Sequence, residues 1–185
     1  MALFDEMNVL QTKRHINKLY KTIYKTVKKE FVKALDPICE EIYAEALEVG
    51  FDGSIRDLDE AFIEEFFEEY NPVTKYVFKN EINRKNSRLF ESLVASTQER
   101  SQSYKTAENL INKQVKQYAI ELEDKVAKTV YKDLGVEKVM WVSEHDYKTC
   151  DVCSELDGQI FDLQDAPPKQ HYNCRCVIIP VRDKK

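Results

Sequence analysis

The chain has 185 residues, 28 Lys and Arg against 33 Asp and Glu, a net charge of −5 and only four Gly and five Pro. That length allows one domain, or one large piece with a small one, and the scarcity of turn formers favours long elements. The mild net charge does not mark a nucleic-acid binder, no apolar run approaches the roughly 18 residues of a membrane span, and the N-terminus lacks a basic start followed by an apolar run. The chain is therefore expected to be made and kept in the cytosol, where thiols stay reduced and cysteine clusters point to metal more than to disulfides.

The first predicted helix is amphipathic. Ile16, Leu19, Tyr20, Ile23, Tyr24, Val27 and Phe31 recur at the 3–4 spacing of one helical face. Residues 13–33 carry eight Lys and Arg against Glu30, a net of +7, and include Lys21, Lys25, Lys28 and Lys29. Asp36-Pro37 reads as an N-cap followed by proline at the first helical position. It predicts a second helix from Pro37 to about Val49, stopped by Gly50. After the loop 51–57, Asp57 or Asp59 caps a helix that ends near Tyr70. Residues 40–70 hold twelve acids against Arg56, a net of −11. The basic and acidic stretches can neutralise one another. A phosphate backbone or an acidic partner surface is the other home for the lysines.

Asn71-Pro72 starts a further predicted helix, to about Arg100. A polar patch, SQSYKT, separates it from a long helix over about 104–134, striped by Ile111, Val115, Tyr118, Leu122 and Val126 and stopped by Gly135. Then the texture changes. Val139–Val142, the turn Gly158-Gln159 running into Ile160-Phe161, and Cys176–Val181 read as short strands. The expected fold is mainly α: a long-helix body over 1–135 and a small α+β module over 136–185.

Four of the five cysteines fall within the 27 residues 150–176. Cys150-x2-Cys153 puts two sulfurs on one tight turn. After 17 intervening residues comes His171-x2-Cys174-x-Cys176, five candidate donors for an ion that usually takes four. The economical set is Cys150, Cys153, Cys174 and either His171 or Cys176. A module of about 45 residues has little apolar surface to hold itself together. A structural zinc adds about 10–16 kcal/mol of apparent binding free energy. The competing reading is a set of reduced, partly buried thiols. Cys39, on a predicted helix, reads as a core thiol. A catalytic zinc would keep an open position beside a general base; no His-Glu-x-x-His is present, and the deaminase order of His-x-Glu before Cys-x-x-Cys is reversed.

Read as one string, the tail is W-V-S-x-x-D-x-x-T-C-x-x-C-x-x-L-D-G-x-x-F followed by P-P-x-x-H-x-N-C-R-C. This resembles the C-terminal domain of the phage head morphogenesis family, the minor head proteins related to the F protein of phage Mu. Trp141, Asp146, Thr149, Cys150, Cys153, Leu156, Asp157, Gly158, Pro167, Pro168, His171, Asn173, Cys174, Arg175 and Cys176 fall on its pattern, over about 45 residues. The resemblance implies a non-enzymatic minor capsid protein of the virion or procapsid, assembled in the host cytoplasm. Portal protein and other capsid components would be its partners, with self-association and a DNA contact open to it. With nine residues after Cys176, no toxin or ADP-ribosyltransferase extension is expected. The reading set against it is a zinc-scaffolded nuclease or DNA-binding module. Trp141 is expected to pack in the module's core, His145 to be exposed, and Arg175 to meet local carbonyls, Asp146, or a phosphate or partner.

Overall fold

The structure, a computed structural model, describes residues 2–69 and 97–182, with side chains placed over 25–69 and 115–182. Its elements in chain order are α1 (Ala2–Glu48), α2 (60–69), α3 (Thr97–Asp133), β1 (Lys138–Val142), α4 (Asp151–Leu156), β2 (Ile160–Asp162), a 3-10 turn at Leu163–Asp165, and β3 (Val177–Val181). The expected pairing of a helical body with a short-stranded module is what is found. The predicted helix from Pro72 to Arg100 lies mostly outside the described residues. Among the described residues, no helix is long and apolar enough to cross a membrane.

Two sequence expectations need correction. α1 does not break at Asp36-Pro37 but runs through Pro37. A proline inside a helix removes one backbone hydrogen bond and crowds the preceding turn. The apolar stripe nevertheless keeps its phase past it, with Phe31 and Leu35 buried before and Ala46 after. Tertiary packing of that face outweighs the local cost. Likewise α3 starts at Thr97 and absorbs the polar patch 101–106. No glycine or proline lies between 97 and 133, and Gln, Lys and Ser are adequate helix residues.

The chain divides into two compact units: residues 1–32 with 60–115, and residues 33–59 with 116–185. In the first, Phe31 meets Phe66 and Phe67 with ring centroids 6.4 and 5.7 Å away. Phe66 and Phe67 meet edge-on at 5.3 Å. Ile63 is fully buried beside them in sequence. α2 begins directly after Asp59, and Lys28 pairs with Glu64, so the basic and acidic stretches do neutralise each other at that point.

The second unit holds the cysteines. Its core takes Leu35 and Ala46 from α1, Leu58, and Tyr118, Leu122, Val126, Val130 and Tyr131 from α3. Both glycine stops form. Gly50 and Gly135 have φ of 92° and 70°. Phe51 N–H bonds Ala46 O and Gly50 N–H bonds Leu47 O; Val136 N–H bonds Tyr131 O and Gly135 N–H bonds Lys132 O. Both are the paired C-cap bonds that satisfy a helix's last carbonyls. Loop 51–59 is held by Arg56, whose backbone N–H donates to Asp133 Oδ2 at 2.9 Å and whose Nε donates at 2.8 Å.

The sheet is antiparallel in the order β2-β1-β3. β1 pairs Val139 with Phe161 on one side and with Pro180 on the other, and Trp141 with Ile178. Val139 and Trp141 point inward, fully buried, with Ile178 beside them. Burying residues of this size is worth roughly 1.5–3 kcal/mol each. Pro180 is tolerated because β3 is an edge strand.

Candidate metal centre

The first cysteine pair sits on a helix start rather than a bare turn. Cys150 is the N-cap of α4, with extended backbone at φ −78° and ψ 163°. Its Sγ accepts the Cys153 N–H at 3.4 Å, the sulfur counterpart of an oxygen N-cap. Asp151 in the first turn suits the helix dipole. Upstream, Asp146 closes a turn: its Oδ1 accepts Lys148 N–H at 2.9 Å, and its carbonyl accepts Thr149 N–H at 3.0 Å.

The second group comes from the approach to β3. Cys174 N–H bonds His171 O at 3.2 Å, closing a turn over 171–174. Asn173 takes the left-handed backbone at φ 58°, a conformation asparagine tolerates better than most residues. Its N–H donates to Gln117 Oε1 on α3 at 2.8 Å. Arg175 borders the same cleft as Cys150, Cys153 and Cys176. Its Nη2 donates to Asp146 Oδ1 at 2.6 Å. This bond leads the effects that hold the Asp146 carboxyl down at about 2.

The two groups converge on Cys153. Its Sγ lies 3.4 Å from His171 Nε2 and 3.7 Å from Cys174 Sγ. Donor atoms of Cys150, Cys153 and His171 all fall within 4.8 Å of one another, as do those of Cys153, Cys174 and Cys176. A tetrahedral zinc with bonds of about 2.3 Å to sulfur and about 2.0 Å to nitrogen spaces two sulfurs by about 3.8 Å and sulfur from nitrogen by about 3.5 Å. The two measured separations match those edges. His171 Nδ1 is 3.0 Å from Tyr172 O; a proton held there would leave the Nε2 lone pair towards the sulfurs. The donor set can hold a metal ion such as zinc.

The surroundings reinforce this. Cys153, Cys174 and Cys176 are buried, Cys150 is half-buried, and His171 is exposed. Burial pushes the Cys153 thiol up, and neighbouring sulfurs add to the shift. Burial also pushes up Cys176, with the Trp141 N–H acting the other way. For Cys174, burial is outweighed by the Cys176 and Gln170 backbone amides, and the thiol is pulled down. A cation among them would favour all the thiolates together. Trp141 Nε1 is buried and makes no hydrogen bond of ordinary geometry among the described residues. A thiolate at Cys176 is the partner it would turn to.

Lys21 lies outside the described side chains. Lys25 and Lys29 are exposed and Lys28 is half-buried, all on α1 in the first unit. Cys39 is half-buried and apart from the sulfur cluster, its thiol pushed up by burial. His145 is exposed, 3.4 Å from Asp157. Sequence reasoning missed α4, although Asp151 after a capping position was its signal. It also missed Lys169, whose Nζ donates to Cys176 O at 2.5 Å and stands 3.3 Å from Asp124 Oδ1. Both side chains are over nine-tenths buried. A lone lysine 45 residues from its partner leaves no local signal.

A family model described as Phage Mu protein F like protein matches residues 84–179, more than half of the chain. A protein of Haemophilus influenzae strain Rd, described as uncharacterized, is 38% identical over 58 residues, which is 29% of this chain and 13% of that protein. The chain thus spans a small part of that relative's length. No solved structure matches.

Proposed function

The chain belongs to the Phage Mu protein F-like head morphogenesis family, and from that membership we propose that it is a minor capsid protein with a structural, non-catalytic role. It associates with the portal vertex or procapsid during assembly in the host cytoplasm and enters the virion. Its 136–185 module is stapled by one zinc held by Cys150, Cys153, Cys174 and either His171 or Cys176. The observation that carries this reading is a pair of three-donor groups that share Cys153, inside the stretch that matches the family. Each three-donor group contains Cys153 and at least one other cysteine, and a fourth cysteine or the histidine closing the shell would favour a structural over a hydrolytic ion. The zinc would neutralise the buried thiolates and join the α4 turn to the start of β3.

Arg175 is committed to Asp146 in this reading and serves the module rather than a partner. The exposed Lys25 and Lys29, with Lys21 in the same basic run, meet an acidic surface of the capsid or the phosphates of DNA. The test is co-sedimentation with portal-bearing procapsids of the cognate phage. The wild-type chain pellets with them, and Lys25→Glu with Lys29→Glu weakens pelleting. A chain that stays in the supernatant with intact procapsids contradicts the proposal.

A further inference from the structure

In the second unit, a notch of about 240 Å³ opens between α1, α3 and β3, away from the sulfurs. Glu41 and Glu45 of α1 and Glu123 and Asp124 of α3 border it. Ile42 and Ile178 are among its apolar walls. Asp124 already has cations beside it, with Lys128 Nζ at 3.0 Å and Lys169 Nζ at 3.3 Å. Yet its Oδ1, the oxygen nearest Lys169, is sealed from solvent and accepts no well-aligned hydrogen bond among the described residues. Among the described residues, Glu45 receives only the Tyr131 hydroxyl, at 3.4 Å. Burial and then Glu41 raise Glu123, with Lys169 alone opposing. Three carboxylates therefore share the notch with one buried lysine whose charge Asp124 already answers.

We propose that this notch receives the arginine side chain of a protein partner. A directly coordinated metal ion fits poorly: among the described residues, no three of these carboxylates bring oxygens within 4.8 Å of one another, and the Lys169 ammonium stands inside. The volume lies below the roughly 300–1,000 Å³ that drug-sized ligands occupy. An arginine offers what the walls ask for. Its aliphatic stem lies along isoleucine and valine, and its planar fork reaches separated carboxylates. The inference stands whether or not the sulfurs hold a metal.

The test uses the full chain, isotope-labelled, titrated with N-acetyl-arginine amide and, in parallel, with the neutral isostere N-acetyl-citrulline amide. The arginine compound gives saturable shifts at Ile42, Ala127 and Ile178 in NMR spectra, and the citrulline compound does not. Glu41→Gln with Glu123→Gln, both exposed positions, weakens binding about tenfold or more, equivalent to about 1.4 kcal/mol. Resonances of the Trp141 core report that this variant stays folded. Absence of saturable shifts, equal shifts from citrulline, or an unchanged titration in the double variant overturns the proposal.

Discussion

Arg175 lies between two cysteines in sequence, yet its guanidinium reaches back to Asp146, with Nη2 to Oδ1 at 2.6 Å. The same carboxylate accepts the Lys148 backbone N–H. One side chain thus ties the turn that leads into Cys150 to the segment that carries Cys174 and Cys176. Partners of this kind orient ligands without touching the ion, and losing one typically lowers metal affinity about 10–100-fold. Arg175→Ala and Asp146→Asn should each weaken zinc binding by about tenfold in competition with a chromophoric chelator. The double variant should be little worse than either, because both remove one interaction.

Lys169 and Asp124 form a buried pair that joins the loop before His171 to α3. Removing one member of a buried pair leaves a charge stranded. Lys128 still answers Asp124, so Lys169→Met should cost about 2–4 kcal/mol in urea unfolding, towards the lower end of what such losses cost. Adding Asp124→Asn should restore part of the loss.

Asp133 receives the Arg56 side chain and backbone N–H, and the side-chain bond leads the effects that hold its carboxyl below the usual range. A depressed acid stabilises the fold fully above the unfolded aspartate value of about 3.9 and loses that contribution as pH falls through the lower folded value. Asp133→Asn should therefore cost about 1–3 kcal/mol at neutral pH, and the gap to wild type should narrow below pH about 4. Taking the difference between the two chains cancels metal release common to both.

Pro37 distinguishes one helix from two. Within a continuous α1, Pro37→Ala restores a backbone donor and should raise stability by about 1–3 kcal/mol. If Asp36-Pro37 instead began a separate helix, the substitution would bring no such gain. Thermal unfolding followed by circular dichroism decides it.

The legible parts of the sequence were those whose signal is local. Runs of β-branched and aromatic residues marked all three strands. Gly50 and Gly135 marked two helix ends because a positive φ is costly for other residues. The Arg175–Asp146 bond was among the expected partners, and Trp141 was expected in the core, where it lies. The continuity of α1 was hidden because it rests on packing from distant segments while Pro37 spoke only for itself, whereas that of α3 was open to reading, since no glycine or proline lies between 97 and 133 and the polarity of 101–106 does not break a helix. The Lys169–Asp124 pair was invisible because burial, not residue type, makes it matter. Spacing alone left His171 and Cys176 equal, and each completes a three-donor group with Cys153.

Whether these donors hold an ion decides between a zinc-stapled module and a cluster of buried thiols. Zinc content by mass spectrometry on reduced, tag-free protein tests it most directly, with Cys153→Ser, His171→Ala and Cys176→Ser measured alongside. We expect one zinc per chain, lost in Cys153→Ser and in one of the other two, which names the fourth ligand. Carefully handled wild-type protein without bound metal would contradict it and leave the sulfur cluster as buried thiols.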